Sequence, residues 1–284
     1  MVPFRILALG GGGTKGFLHI GALQELEVRV GHLTKHFTGG IYGCSIGSII
    51  AAGIAFGLNT TQMERLSKTS MNLDFVFNDL KISTLAQITS KKGMFSMDSF
   101  EKHILSAFDL EGVDLRNKVL NDAQIPLFMV ASNMTKGIPT IFKGNVPVLS
   151  AIKASCCIPL LFQPQVIGKY VYIDGGLITN DMFKLIPKEH QADTLSIYLI
   201  HSDTRINPQT FERLSLPEFT YKLYKTACLY NLSQNNNPNI LSLYYPGGSG
   251  ISTRTDGEQD EMIFIGKVLM RNFLSKNSRQ ECFK

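Results

Sequence analysis

A run of four glycines, within GGGGTKG at residues 10–16, constrains the fold of this chain more than any other sequence feature. The run follows the apolar stretch FRILAL and precedes FLHIGALQELE, whose apolar residues have helical spacing. Glycine costs backbone entropy on folding, and a tight turn from a strand into a helix needs only one. Four glycines therefore indicate exposed backbone N–H groups at a helix N-terminus, where an anion or a developing negative charge can bind.

Three interpretations of this loop are open. The first is a tight turn without chemistry. The second is a nucleotide site, because Gly11, Gly13 and Gly16 match G-x-G-x-x-G. The next strand, HFTGGIYG, offers no acidic residue for a ribose, and Lys15 is not followed by Ser or Thr, so we expect no bound nucleotide. The third is an oxyanion hole formed by the N–H groups of Gly11, Gly12 and Gly13, with Lys15 adding positive charge.

A candidate nucleophile lies in a second glycine-rich junction, GCSIG at 43–47. This G-x-S-x-G pattern follows a predicted strand and precedes an apolar predicted helix, which is the context of a nucleophile elbow. Gly43 and Gly47 leave room for a sharp turn, and Ser45 at its centre would be strained and would project above the sheet. A glycine-rich turn with an ordinary N-cap serine is the alternative.

A serine hydroxyl needs a proton acceptor, and KYVYIDGGLITND provides a candidate. Asp174 ends an alternating strand and is followed by Gly175 and Gly176. An aspartate in that position emerges at the same edge of the sheet as Ser45. Asp-Gly is also a common hairpin turn, although the following residues do not alternate as a return strand would.

Strands that alternate with helices predict an α/β fold with a mostly parallel sheet. Strand-like runs lie at 4–9, 37–42, 126–132, 138–143, 165–173 and 194–200, and helical patterns at about 16–29, 46–57, 61–70, 97–108, 209–231 and 258–275. No linker divides the chain, so we expect a single domain over 1–284. The motifs lie within about 4–200, and residues 201–284 are expected to pack on that core.

Composition limits the possible partners and compartments. Hydrophobic residues make up 44% and charged residues 18%, with a net charge of +5, so nothing steers the chain strongly toward nucleic acid. The five cysteines lack the spacing of a disulfide framework or a zinc site, which indicates reduced thiols inside a cell. The first residues do not resemble a signal peptide, and IGSIIAAGIAFGL is too short to span a bilayer. We therefore expect a cytoplasmic protein.

Taken together, the motifs resemble those of the patatin-like phospholipases. GGGTKGFLHIGALQELE resembles the glycine-rich oxyanion motif and first helix of that family, and GCSIG its nucleophile motif. ASCCIPLLFQP (154–164) is similar to its Ala-Ser-x-x-x-Pro-x-x-Phe-x-Pro segment, and DGG (174–176) to its base motif. The resemblance covers roughly 4–185, and GGLITND departs from the usual double-Asn ending.

The resemblance implies a three-layer α/β/α sandwich related to the α/β hydrolases. It implies a catalytic dyad with Ser45 as nucleophile and Asp174 as general base, acting without metal or cofactor. The implied substrate is a fatty-acyl ester of a membrane lipid, which the protein would meet peripherally at a bilayer or micelle surface.

Two alternatives remain. His201 ends the predicted strand TLSIYLI, so a Ser45–Asp174–His201 triad is available in the order of an ordinary α/β hydrolase. The chain could instead be a non-catalytic lipid-binding or interaction protein on the same scaffold, although the intact motifs argue against this.

Overall fold

The computed structural model describes residues 4–71, 88–179, 181–201, 206–230, 237–246 and 250–281. Its strands are β1 Ile6–Leu9, β2 Gly40–Cys44, β3 Gly93–Phe95, β4 Leu127–Asn133, β5 Ile138–Phe142, β6 Leu160–Phe162, β7 Gln165–Ile167, β8 Tyr170–Asp174, β9 Thr194–His201 and β10 Ile240–Tyr245. Its α-helices are α1 Phe17–Val30, α2 Leu33–His36, α3 Ile46–Ala55, α4 Thr60–Ser70, α5 Met97–Leu110, α6 Val148–Cys156, α7 Lys188–Gln191, α8 Pro208–Phe211, α9 Leu216–Tyr230 and α10 Asp256–Glu281.

Within the described ranges, the main sheet has eight strands and is parallel at its centre. Its order is β10-β9-β1-β2-β4-β8-β7, and β5 also pairs with β4. The pairs from β10 to β4 are parallel, whereas β5, β7 and β8 run antiparallel to their neighbours. The loops that follow β1 and β2 therefore leave the sheet at the same end, as carboxyl ends of parallel strands do.

Strand β4 brings the ends of β2 and β8 together. One edge of β4 pairs with β5 over Met129–Asn133. The other edge is shared, because β2 pairs with Leu127–Val130 and β8 with Ala131–Asn133. In this register Cys44 lies opposite Val130 and Asp174 lies opposite the next residue, Ala131. The last residues of β2 and β8 thus meet end to end, and both chains turn away from the sheet at that point.

The side chains of β1 show how the sheet is covered on both faces. Leu7 and Leu9 belong to the large core cluster, which also contains apolar residues of α1, α3 and α5. Ile6 and Ala8 point to the other face and pack in a smaller cluster with the segment around Met182 and Phe183. Such a sheet with covering layers is an α/β fold, as the sequence predicts.

Helix α10 packs closely against α1, and a glycine on each helix, Gly21 and Gly266, allows the short distance between them. A Cβ on Gly266 would overlap the carbonyl oxygen of Leu18, and one on Gly21 would overlap that of Ile263. The helix backbones can approach this closely only without side chains at these positions. Residues after 200 therefore contribute β10 to the main sheet and α10 to the helical layer. No helix in the described ranges combines the length and the apolar character needed to cross a membrane.

Most predicted elements appear within a few residues of their expected bounds, but two are wrong. The predicted strand 165–173 is a hairpin of β7 and β8, turned at Gly168 with φ of 61°. The predicted helix 209–231 is interrupted, because α8 ends at Phe211 and α9 begins at Leu216. Helix α6 and strand β10 were not predicted, and both contact the site described below, through Ser155 and Tyr245.

The α1–α10 contact gives a stability prediction. We expect Gly266→Ala to lower the free energy of unfolding by about 1–3 kcal/mol, because the new methyl group must push two helix backbones apart. Gly257→Ala in the same helix is the matched control, since nothing lies within 4 Å of its Cβ position. Urea unfolding checks both variants. Equal stability of Gly266→Ala and wild type would contradict the close packing.

Candidate active site

Ser45 stands at a strained turn between β2 and α3. Its φ of 54° and ψ of −128° lie outside the conformations that a non-glycine residue ordinarily adopts. Both flanking glycines are required by contact: a Cβ on Gly47 would overlap the carbonyl oxygen of Leu9, and one on Gly43 would lie 2.5 Å from the carbonyl oxygen of Gly47. The turn therefore has the sharp geometry that the G-x-S-x-G pattern predicts.

The backbone of this turn is fixed by two further serines. The Ser45 N–H donates to Ser155 Oγ at 2.9 Å, and the Ser155 hydroxyl donates to the Val130 carbonyl at 2.7 Å. The Ser48 hydroxyl donates to the Ser45 carbonyl at 2.6 Å. Ser155 belongs to ASCCIPLLFQP, so this motif ties the turn at Ser45 to β4.

Asp174 is fully buried at the end of β8. Its Oδ1 accepts two hydrogen bonds, from the Gly176 N–H at 2.9 Å and from the Tyr224 hydroxyl at 2.6 Å. Its Oδ2 has no hydrogen-bond partner within the described part of the chain. The Ser45 hydroxyl lies close enough to lower the pKa of the carboxyl group, although its geometry is not that of a hydrogen bond to Oδ2. In structures without substrate such contacts are often long and shorten when the substrate binds.

The surroundings of Asp174 have opposing effects on its pKa. Burial raises the pKa above its ordinary value, because the ionised form is poorly solvated there. The Tyr224 hydroxyl, the Ser45 hydroxyl, the Gly176 N–H and the charge of Lys225 each lower it, without cancelling the effect of burial. Asp174 is therefore a stronger base than an aspartate in water, and its ionised form is supported by specific donors.

The glycine loop runs beside Ser45. A Cβ on Gly11 would lie 2.9 Å from Ser45 Cβ, and one on Gly12 would press into the Leu199 side chain. Gly13 has φ of 60°, which favours glycine, and its Cβ position is occupied by the Gly250 carbonyl. Within the described residues, the N–H groups of these three glycines donate to no backbone carbonyl. That they form an oxyanion hole, as the sequence predicts, stays a prediction.

The end of the loop is held by residues from 245 onward. The Thr14 N–H donates to the Gly250 carbonyl at 2.7 Å, and the Thr14 hydroxyl donates to the Ser252 carbonyl at 2.9 Å. Arg254 Nε donates to Thr14 Oγ1 at 3.3 Å. Lys15 is buried, and its ammonium donates to the Tyr245 carbonyl at 3.1 Å, so it ties the loop to β10.

His19, on α1, holds the start of the glycine loop through Gly10. Its Nε2 lies 3.0 Å from the Gly10 carbonyl oxygen. Burial lowers the pKa of His19 from 6.5 to about 4, so the imidazole is neutral at neutral pH. Because a carbonyl can only accept, Nε2 carries the proton and donates it to Gly10.

A small cavity opens at Ser45. It has a volume of about 50 Å³, and Gly13 and Ser45 share its wall with the apolar side chains of Ile49, Phe100 and Ile158. One water needs roughly 10–15 Å³ of such space, so a few atoms fit. The cavity can hold the reacting part of an ester, with apolar surface beside it.

No group of three side chains that could hold a metal ion occurs in the described ranges. His201 ends β9 opposite Tyr245, and its side chain lies outside what the structure describes. The four described cysteines are free thiols, and Cys44 packs in the smaller core cluster.

Several residues at this site were missed from the sequence. Tyr224 and Lys225 sit within a predicted amphipathic helix, where nothing distinguishes them from core and surface positions. Gly250 and Arg254 lie in a stretch that the composition predicts to be a loop. Gly250 and Arg254 both bind Thr14 in the glycine loop, which lies more than 200 residues earlier in the chain. Only the folded structure brings them together.

The fold is α/β, with a strained turn at Ser45 between a strand and a helix. The model of the patatin-like phospholipase family matches residues 7–185, which is more than half of the chain. The chain therefore belongs to the patatin-like phospholipase family. This membership places it in a class of enzymes that hydrolyse acyl esters of lipids.

Relatives include proteins from bacteria. YqhO of Bacillus subtilis is 28% identical over 209 residues, a match that covers 66% of this chain and 69% of YqhO. The cUMP-AMP-activated phospholipase of Escherichia coli is 29% identical over 227 residues, covering 71% of this chain and 62% of that enzyme. The chain thus spans about two thirds of the length of these relatives.

Two solved structures share the fold. VipD from Legionella pneumophila superposes with a TM-score of 0.55 at 14% identity, covering 96% of this chain and 67% of VipD. ExoU from Pseudomonas aeruginosa, in its complex with SpcU, gives a TM-score of 0.50 at 18% identity, covering 96% of this chain and 52% of ExoU. At these identities the similarity concerns the fold alone.

The buried His19 predicts a pH dependence of stability. Below pH 6.5 His19 binds a proton in the unfolded chain, whereas in the folded protein it stays neutral down to about pH 4. Its protonation therefore favours unfolding, and the wild type should lose about 3 kcal/mol of stability from this residue between pH 6.5 and 4, with no further loss below.

His19→Gln keeps a donor for the Gly10 carbonyl but cannot titrate in this range. We expect its free energy of unfolding to fall less steeply than that of wild type over the same pH interval, measured by urea unfolding at each pH. His190→Gln, at an exposed position on α7, is the control and should keep the wild-type slope. Equal slopes in wild type and His19→Gln would contradict the buried neutral imidazole.

Proposed function

We propose that this chain hydrolyses fatty-acyl esters of membrane lipids, with Ser45 as nucleophile and Asp174 as general base. One observation supports the proposal most: a buried carboxyl group, with one oxygen unpaired among the described residues, lies close enough to the hydroxyl of a strained serine for that hydroxyl to lower its pKa. A buried carboxylate with a raised pKa, beside a nucleophile in a cavity, is typical of a catalytic site.

The acylation step follows from this arrangement. Asp174 Oδ2 takes the proton of the Ser45 hydroxyl while Oγ attacks the carbonyl carbon of the ester. Negative charge moves from the carboxylate to the carbonyl oxygen, so the total charge of the site is unchanged. The raised pKa of Asp174 favours the transfer, because a stronger base takes the proton more readily.

The charge that develops on the carbonyl oxygen needs donors. The N–H groups of Gly11, Gly12 and Gly13 donate to no backbone carbonyl among the described residues, and Gly11 lies against Ser45, so this loop can provide them. Donors that are already in place need not reorient during the reaction. Removing one typically raises the activation free energy by about 2.7–4 kcal/mol. Lys15 would act here by holding the loop in place through Tyr245.

Collapse of this intermediate completes acylation: the protonated Asp174 gives its proton to the departing alcohol oxygen, and the acyl group stays on Ser45 Oγ. In deacylation, water enters, Asp174 takes one of its protons, and the hydroxide oxygen attacks the acyl carbon. The fatty acid leaves and Ser45 recovers its proton, so neither a metal nor a cofactor takes part.

A lipid is the substrate that best fits the surroundings. Apolar side chains line the cavity beside Ser45, and relatives carry the names cUMP-AMP-activated phospholipase and, in Caenorhabditis elegans, intracellular phospholipase A2. The enzyme would reach its lipid peripherally, from the aqueous side of a bilayer or micelle. We also propose that residues 1–284 act as a single domain, since β10 completes the sheet that holds the site.

Ester turnover by variants tests the proposal. We expect wild type to release fatty acid from phospholipid vesicles, and Ser45→Ala and Asp174→Asn to lose at least about a thousandfold in kcat, as dyad members do. A fluorophosphonate probe should label wild type but not Ser45→Ala. Labelling that survives Ser45→Ala, or full activity of Asp174→Asn, would contradict the proposed roles.

His201→Ala separates a dyad from a triad. A dyad predicts nearly wild-type turnover for this variant, whereas a triad predicts a loss comparable with that of Asp174→Asn. A folded wild type without any turnover or labelling would favour the non-catalytic alternative.

The same assay tests the expectation that no nucleotide is needed. Wild type is measured with and without a cyclic UMP-AMP dinucleotide, because one relative is named for activation by it. We expect equal rates. Turnover only in the presence of the dinucleotide would contradict this expectation while leaving the hydrolytic mechanism intact.

A further inference from the structure

We propose that Tyr224 is a positioning residue for the general base: its hydroxyl holds Asp174 Oδ1 so that Oδ2 faces Ser45. The inference rests on the proposed function and adds a third side chain to its machinery. Tyr224 lies on α9, beyond the residues that the family model matches.

The first support is that the two oxygens of the Asp174 carboxylate differ in their hydrogen bonds. Oδ1 accepts from Tyr224 at 2.6 Å and from the Gly176 N–H at 2.9 Å. Oδ2 accepts from no group in the described ranges. Two donors on one oxygen fix the rotation of the carboxyl group, and the free oxygen is the one left for the serine proton.

The second support comes from the base motif itself. A Cβ on Gly176 would lie 2.6 Å from the Tyr224 hydroxyl oxygen and 3.3 Å from Asp174 Oδ1. Any side chain at 176 would therefore push the phenol away from the carboxylate. The second glycine of DGG leaves the space in which Tyr224 reaches Asp174.

The third support is a contrast within α9. Tyr221, one turn earlier, is also buried, but its hydroxyl has no partner among the described residues. Burial on this helix therefore does not by itself bring a tyrosine hydroxyl to an acceptor. The contact of Tyr224 with Asp174 is specific, and Tyr221 is a matched control for it.

Tyr224 stays protonated in this setting. Burial raises its pKa well above the ordinary value, and the nearby Asp174 charge raises it further. The other titratable groups that face Asp174 are Lys225, Tyr221 and Cys228 on α9, Cys44 on β2, and Cys156 and Cys157 at the end of α6. Burial raises the pKa of each thiol, so these cysteines are neutral near neutral pH.

The expected consequence is a shift in pH dependence. The Tyr224 hydrogen bond lowers the pKa of Asp174, so Tyr224→Phe raises it and keeps the base protonated up to higher pH. The acid limb of the rate profile should move upward by about one pH unit, the size expected for one hydrogen bond to a charged group. The loosened carboxyl group should also lower kcat by about tenfold without changing KM.

The experiment measures the second-order rate of fluorophosphonate labelling and the turnover of phospholipid vesicles from pH 4 to 9. It compares wild type, Tyr224→Phe and Tyr221→Phe. Tyr221→Phe should keep the wild-type pH profile and kcat. Thermal unfolding of each variant shows whether it is folded at the assay temperature.

A second change at the same position works in the opposite direction. Site-specific 3-fluorotyrosine at 224 keeps the shape of the side chain and strengthens the hydroxyl as a donor. The acid limb should then move to lower pH. This variant tests the inference even if Tyr224→Phe is too unstable to assay.

The outcomes separate this inference from the proposed function. If wild type neither turns over lipid nor labels at Ser45, the proposed function fails. If wild type is active, a profile that moves upward in Tyr224→Phe and downward in the fluorotyrosine protein supports the positioning role. A lower melting temperature with an unchanged pH profile would overturn that role and leave Tyr224 a packing residue.

Discussion

The candidate active site depends on one constraint: the carboxylate of Asp174 is fully buried and has no contact with solvent. Burial raises the free energy of its ionised form, and only nearby donors can keep it charged. The Tyr224 hydroxyl and the Gly176 N–H donate to Oδ1, and Oδ2 has no hydrogen-bond partner among the described residues. The carboxylate is therefore both stable enough to persist and basic enough to take a proton.

This placement follows from how three strands share β4 and from how closely the loops approach. β2 and β8 end against consecutive residues of β4, Val130 and Ala131. Glycines allow the turns at that junction to touch backbone to backbone, as Gly175 does at the Val130 carbonyl. Residues after 200 also contact the site: the Tyr224 hydroxyl on α9 donates to Asp174, and the Gly250 carbonyl accepts from Thr14 in the glycine loop.

The local parts of this site can be predicted from the sequence, because they depend on short-range rules. G-x-S-x-G between a strand and a helix predicts a sharp turn at Ser45, and an aspartate after an alternating strand predicts a position at the edge of the sheet. The hairpin within 165–173 escaped prediction because Gly168 is a single turn signal within an otherwise continuous alternation. Tyr224 escaped because a buried tyrosine on an amphipathic helix has the same sequence pattern whether it packs or donates.

The proposed mechanism requires that the N–H groups of Gly11, Gly12 and Gly13 face the carbonyl oxygen that becomes negatively charged when Ser45 attacks the ester. A crystal structure of the fluorophosphonate adduct tests this directly, because its phosphonyl oxygen occupies the place of the oxyanion. The account predicts a covalent bond to Ser45 Oγ, with that oxygen about 2.7–3.1 Å from at least two of the three glycine nitrogens. A phosphonyl oxygen pointing into solvent, with all three N–H groups turned away, would contradict it.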